Sequence, residues 1–99
     1  KKINSEKQEL IDLYTNVRYI RERKREENIT LSQIYSTLCS KHPNEWLLKM
    51  EILEVSKLLN QDDLIDPILS DLHILCNENT QIKDSIERGI SLIDVLYTT

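Results

Sequence analysis

The residues in this chain whose types and spacing most resemble a ligand set are Cys39-x-x-His42 and His73-x-x-Cys76. Residues three apart on a helix share a face, so two such pairs could supply a two-Cys, two-His tetrahedral zinc site. Each residue also has a plainer role. Cys39 and Cys76 continue apolar stripes, where a free thiol behaves as a small buried hydrophobe. His42 stands just before Pro43 at a helix boundary, where a polar residue is expected anyway. The plainer roles outweigh the zinc site, so no metal and no cofactor is expected. With 1 glycine and 2 histidines, most catalytic templates cannot be assembled. No glycine-rich phosphate loop, no Ser/His/Asp or Cys/His nucleophile arrangement and no carboxylate pair in an apolar setting is recognisable. Any enzymatic activity is expected to belong to a parent protein, not to this chain.

Two further features are candidates for binding. Tyr14, Arg18, Arg21 and Arg25 line one side of the first helix, with Arg23 and Lys24 nearby. Such a strip could hold phosphate, an acidic partner or RNA. Glu22, Glu26 and Glu27 interrupt it, as the charges of an exposed helix usually do, and this sets a protein contact above nucleic acid. Trp46 opens the most apolar helix, where it serves either as core or as an interface anchor.

These residues are positioned by helices. Trp46 to Leu59, WLLKMEILEVSKLL, is the most apolar run. Trp46, Met50 and Leu53 share one face, while Leu48, Ile52, Val55 and Leu59 form a second stripe. A helix apolar over that much of its circumference is buried in a bundle or pressed between a bundle and a partner. Ahead of it, Ser5 with Gln8 reads as a capping box opening a helix to about Glu26, with a stripe of Leu10, Leu13, Val17 and Ile20 widened by Ile11 and Tyr14. Its last, charged turns are expected to project past the core. Thr30 with Gln33 repeats the box, and Leu31, Ile34, Tyr35, Leu38 and Cys39 make the face of a second helix. Pro43 suits the first position of the third, central helix. After Asn60 to Asp63, either Asp63 or Asp66 caps a fourth helix, with Pro67 placed in its first turn. Thr80 opens a fifth, whose face runs Ile82, Ile86, Gly89, Ile93 and Leu96, joined by Ile90. Gly89 on that face suggests close approach by another helix backbone; the alternative is chance.

Composition agrees with this reading. The 99 residues are 39% hydrophobic and 30% charged, with 2 prolines and no Phe, as in a single helical domain with a modest core. The net charge of -4 argues against nucleic acid and anionic membranes as partners. No apolar run reaches the roughly 20 residues that span a bilayer. Two cysteines in a domain with its own core suggest free thiols in a reducing cytoplasm. The start, Lys1 to Ser5, has neither signal-peptide character nor an initiator Met, and the expectation is a C-terminal piece excised from a longer chain.

Two stretches carry a resemblance: Leu13-Tyr14-Thr15-Asn16-Val17-Arg18-Tyr19-Ile20-Arg21-Glu22, and His42-Pro43-Asn44-Glu45-Trp46-Leu47-Leu48-Lys49-Met50-Glu51-Ile52-Leu53-Glu54. Over roughly Leu10 to Leu59 the chain resembles the C-terminal helical extension of long bacterial, Bacteroidetes-type, pterin-dependent phenylalanine (aromatic amino acid) hydroxylases. The resemblance implies a parent that hydroxylates an aromatic amino acid with non-haem iron, a tetrahydropterin and dioxygen. The two-His, one-carboxylate iron site of that family belongs to its catalytic domain, and His42 and His73 do not sit in its ligand motif.

The expectation is therefore an all-α bundle of about five helices, residues 1–99, packed around Trp46 to Leu59. Its first functional reading is a non-catalytic accessory domain of a larger enzyme, serving assembly, docking or regulation. Its partner would be the parent catalytic domain or a second copy. A stand-alone helical adaptor for protein–protein interaction is the alternative. The residues expected at the interface are Tyr14, Arg18, Arg21, Arg25 and Trp46.

Overall fold

Helix α3, Trp46–Leu58, touches each of the other four helices, and the apolar pattern of its sequence explains why. Leu48, Ile52, Leu53 and Val55 are completely buried, and so are the small Ser56 and most of Lys49. Leu47, on the remaining face, is 54% exposed. The computed structural model describes residues 2–97, with side-chain surroundings from residue 5 onward. Among these residues it contains α1 (Lys2–Arg23), α2 (Leu31–Lys41), α3, α4 (Asp62–Glu78) and α5 (Thr80–Tyr97), and no strand. The all-α architecture around the central helix is as the sequence implies. The bundle is flat, 44 × 34 × 18 Å, so its thin dimension is close to two helix diameters.

Four boundaries differ from the sequence reading, each for a local reason. The Ser5–Gln8 box does not open α1, because the helix already runs from Lys2 and Ser5 lies inside it. At its other end α1 stops at Arg23, short of the projecting turns expected to Glu26. Lys24 adopts φ 57°, a left-handed residue that ends a helix, while its N–H still donates to the Ile20 carbonyl at 2.8 Å. Asn60 ends α3 in the same way, at φ 59°, with Gln61 N–H donating back to the Ser56 carbonyl at 2.8 Å. Pro43 does not begin α3. It belongs to a turn in which Glu45 N–H donates to the His42 carbonyl at 3.2 Å, and Glu45 occupies the cap position. Finally, α4 starts at Asp62 under Gln61, so Pro67 is its sixth residue and not in the first turn. The helix tolerates it because Pro67 and Asp63, whose carbonyl loses its usual N–H donor, are both exposed to water.

The Thr30 box forms as expected. Gln33 N–H donates to Thr30 Oγ1 at 3.2 Å and Thr30 N–H donates to Gln33 Oε1 at 2.9 Å. Glu26, from the connecting loop, adds a carboxylate that accepts from Leu31 N–H at 2.6 Å, and this satisfies another free donor at the positive end of α2. A single residue, Asn79, joins α4 to α5, so the two run back against each other as a tight hairpin. Helix α5 opens at Thr80 as expected, and Asn79 Oδ1 accepts from the N–H of Gln81 at 3.0 Å. Gly89 does meet a close neighbour, but it is a side chain and not a helix backbone. A Cβ placed there would lie 1.9 Å from Cε of Met50 on α3.

Candidate interaction surface

The arginine strip is divided by the fold. Arg21 turns inward along α1 and pairs with Glu54 of α3, whose other oxygen, Oε2, accepts from the Tyr97 hydroxyl of α5 at 2.9 Å. One carboxylate thus ties three helices together. Arg25, beyond the end of α1, pairs with Glu27 at 3.0 Å, and Arg23 lies 4.3 Å from the centroid of the Tyr19 ring. Arg18 is exposed and has no ion-pair partner among the described residues. Tyr14 is half-buried, and burial, then the carboxylates Glu45 and Glu51, pushes its phenol above the ordinary value of 10.0. Arg21 and Tyr14 therefore belong to the α1–α3 seam, and of the strip only Arg18 and Arg25 face solvent. Trp46 is partly buried against the core. With Asn44 it lines a shallow depression against the α4–α5 connection, beside Leu75, Asn79 and Ile82.

The Cys/His pairs do not converge. Cys76 is buried beneath α5, where desolvation raises its thiol and Glu87 and Lys83 add opposed electrostatic effects. Cys39 lies on the opposite side of α4 and donates to Asp71 Oδ2 at 3.5 Å. Five residues separate Asp71 from Cys76, about 140° round a helix. His73 is exposed, while His42 is largely buried with Nε2 3.4 Å from Glu9. Among the described residues no group of three or more His, Cys, Asp or Glu side chains is placed to hold a metal ion.

A polar cluster that sequence spacing could not suggest sits where α2, α3 and α4 meet. Asp71 accepts from the Tyr35 hydroxyl and the Cys39 thiol, and lies 3.9 Å from the ammonium of Lys49. Lys49 donates to the Pro43 carbonyl at 2.7 Å, and the Tyr35 hydroxyl is 3.3 Å from the carbonyl of Pro67. The Lys49 side chain is 5% exposed and Asp71 35%. Burial, then the hydrogen bond to Asp71, drives the Tyr35 phenol far above 10.0. Burial likewise raises the Cys39 thiol, and this lowers its thiolate fraction and with it its reactivity. The cluster carries a Tyr, a Cys, a Lys and an Asp, yet every one of them holds its reactive atom against a neighbour. It ties helices together. Tyr35 and Cys39 share a face of α2, but Lys49 comes from α3 and Asp71 from α4, 32 residues beyond Cys39, so only the packing brings the three helices' side chains to one place.

Among the described residues, α5 is the helix that carries three exposed large apolar side chains. Its inner face, Ile86 and Ile93, is buried with Ile82, Ile90 and Tyr97 packed beside it. Its outer side exposes Leu92 (60%), Val95 (75%) and Leu96 (59%). These three fall within about one helical turn, so they form one patch and not scattered singles. Sequence reading placed Leu96 on the buried face and passed over the other two, because an amphipathic pattern marks the face it repeats on and says little about extra apolar residues outside it. No protein-family model, curated protein or solved structure matches this chain.

Proposed function

We propose that this chain is a non-catalytic docking domain, a helical module whose work is to bind another protein surface. The observation that carries the reading is the α5 patch: Leu92, Val95 and Leu96 stand in water on a helix whose opposite face already closes the core. A contiguous exposed apolar patch of this kind marks interaction sites on soluble domains. The tied-down polar groups at Tyr35, Cys39, Lys49 and Asp71 support it, since they serve packing and leave no reactive group free. In the setting implied by the resemblance, the domain serves assembly or docking of an iron- and pterin-dependent aromatic amino acid hydroxylase.

The test begins with the coding frame upstream of Lys1. A catalytic domain encoded there in the same frame, with a two-His, one-carboxylate motif, supports the hydroxylase setting. A start codon there removes it and favours the free-standing adaptor. Sedimentation then decides the docking role. The domain should bind the upstream-encoded domain or itself, and Leu92→Ser with Val95→Ser should abolish that association. A strictly monomeric domain with no affinity for its own parent overturns the accessory reading.

A further inference from the structure

The charges around the α5 patch say what kind of surface it fits. Residues 62–97 carry 8 carboxylates against 2 cations, Lys83 and Arg88, while residues 1–61 are slightly basic. The net negative charge of the molecule therefore sits on the α4–α5 hairpin, although 9 of the 17 carboxylates lie in residues 1–61. Part of that charge lies at the same end of the molecule as the patch. Because α4 and α5 run back against each other across one residue, the start of α4, with Asp62, Asp63 and Asp66, lies at the same end of the bundle as the end of α5. The ion pair between Lys57 of α3 and Asp94 confirms this placement, since α3 ends just before α4 starts. On α5 itself Leu92 and Val95 line an open depression with Asp84, Glu87, Arg88 and Ser91. On α5 the apolar centre is thus bordered by the carboxylates Asp84 and Glu87 and by Arg88, while the α4 carboxylates lie toward the same end of the bundle.

We infer that the outer face of α5 docks a basic amphipathic helix of a partner protein, with the apolar side of that helix on Leu92, Val95 and Leu96 and its Lys or Arg residues against the surrounding carboxylates. This rests on the docking role proposed above and names the chemistry of the partner. Interfaces of this type combine apolar anchors with a complementary charged rim that orients the encounter. A second copy is a poorer occupant. The basic stretch this chain could offer lies at the end of α1, where Arg18 and Lys24 are unpaired among the described residues but Arg21 is already paired with Glu54, and Arg23 and Arg25 with Glu27. Burying those arginines against α5 would mean breaking existing pairs.

The experiment uses the isotope-labelled 99-residue chain and two synthetic helices with leucines at three- and four-residue spacing. One carries lysines on its polar side and the other carries glutamates. Backbone amide shifts are followed during titration. The lysine peptide should perturb residues 84–96 and weaken at least about tenfold as salt is raised through the range where the Debye length falls from about 10 to 3 Å. Leu92→Ser with Val95→Ser, which changes no charge at exposed positions, should remove the binding. Asp84→Asn with Glu87→Gln should weaken it several-fold. Equal binding of both peptides to the same face overturns the charge argument but leaves the docking role standing. Shifts that fall elsewhere, the absence of binding, or concentration-dependent self-association through α5 each overturn the inference. If the upstream-encoded domain binds α5 where the lysine peptide does not, the docking role survives and the basic partner does not.

Discussion

Asp71 shows how a single side chain sets the energetics of a buried contact. It is the countercharge within 3.9 Å of the nearly buried Lys49 ammonium, and it also accepts from Tyr35 and Cys39. Replacing it with Ala leaves an ammonium and a phenol short of partners, and uncompensated buried charge is costly. Because Asp71 itself is about a third exposed, water recovers part of that loss. The expected cost of Asp71→Ala is about 2 kcal/mol, read from urea unfolding. Lys49→Met in the same background should restore a large part of it; if it restores none, the charge was not the cause. The same groups fix the response to alkali. Tyr35, Cys39 and Cys76 all have their ionisations raised in the folded state, so their protonated forms are the ones the fold favours. Their contribution is present below the ordinary values of 9.0 for the thiols and 10.0 for the phenol, and it is lost as pH rises through the higher folded values. Stability measured by urea midpoint should therefore hold to about pH 8–9 and fall beyond it. Tyr35→Phe should make the fall shallower. A fall of unchanged steepness in that variant would show that the phenol is not responsible.

At the scale of the helix, caps and close contacts decide what the apolar stripe leaves open. Thr30→Ala removes one side of a complete capping box and should cost about 1 kcal/mol. Ser5→Ala should cost almost nothing, since Ser5 lies inside α1. That contrast bears on how far the helices were legible. Both S/T-x-x-Q patterns look the same in sequence, but Lys2 to Asn4 contain no helix breaker, so α1 runs past its apparent cap. Five helices and most of their inner faces followed from periodicity, because core stripes at three- and four-residue spacing repeat in every one, although Ile11 and Leu96, assigned to inner faces, are exposed. The end of α1 did not follow, because the left-handed Lys24 is not the glycine that usually marks such a stop, whereas the polar break from Asn60 did mark the end of α3. Gly89 is an intermediate case: a near neighbour was expected, and Met50 supplies it with a flexible methyl end. Gly89→Ala gains about 0.5–1 kcal/mol of helix propensity and loses a similar amount in displacing Met50. Alone it should be close to neutral; with Met50→Ala the gain should appear in full. Simple additivity in that double-mutant cycle would show that the two residues do not interact.

Across the whole molecule, α3 is the element through which the others meet, and a flat bundle has few alternative contacts to replace it. Helices α1 and α5 are joined chiefly through α3, most directly where Glu54 takes both Arg21 and Tyr97. The site candidates chosen from sequence suffered from this: a cation on one helix cannot reveal the carboxylate that another helix brings to it, and α5 lies too far along the chain for local spacing to connect Tyr97 with Arg21. The same arrangement implies that unfolding is a single event. Ile52 is completely buried at the centre of α3, and its truncation to Ala should cost about 2–5 kcal/mol, a large share of the roughly 5–15 kcal/mol that stabilises a domain. If α3 is the common support, Ile52→Ala should lower the melting of all five helices together, with circular dichroism and Trp46 fluorescence following one transition. Leu96→Ser, on the exposed side of α5, should leave both signals and the midpoint nearly unchanged. Separate transitions in Ile52→Ala, with the α1–α2 or α4–α5 pair persisting after α3 is lost, would mean that each hairpin holds its own core. The apolar patch on α5 would then ride on a unit able to fold and dock without the rest, whereas a single transition makes the docking face depend on the whole bundle.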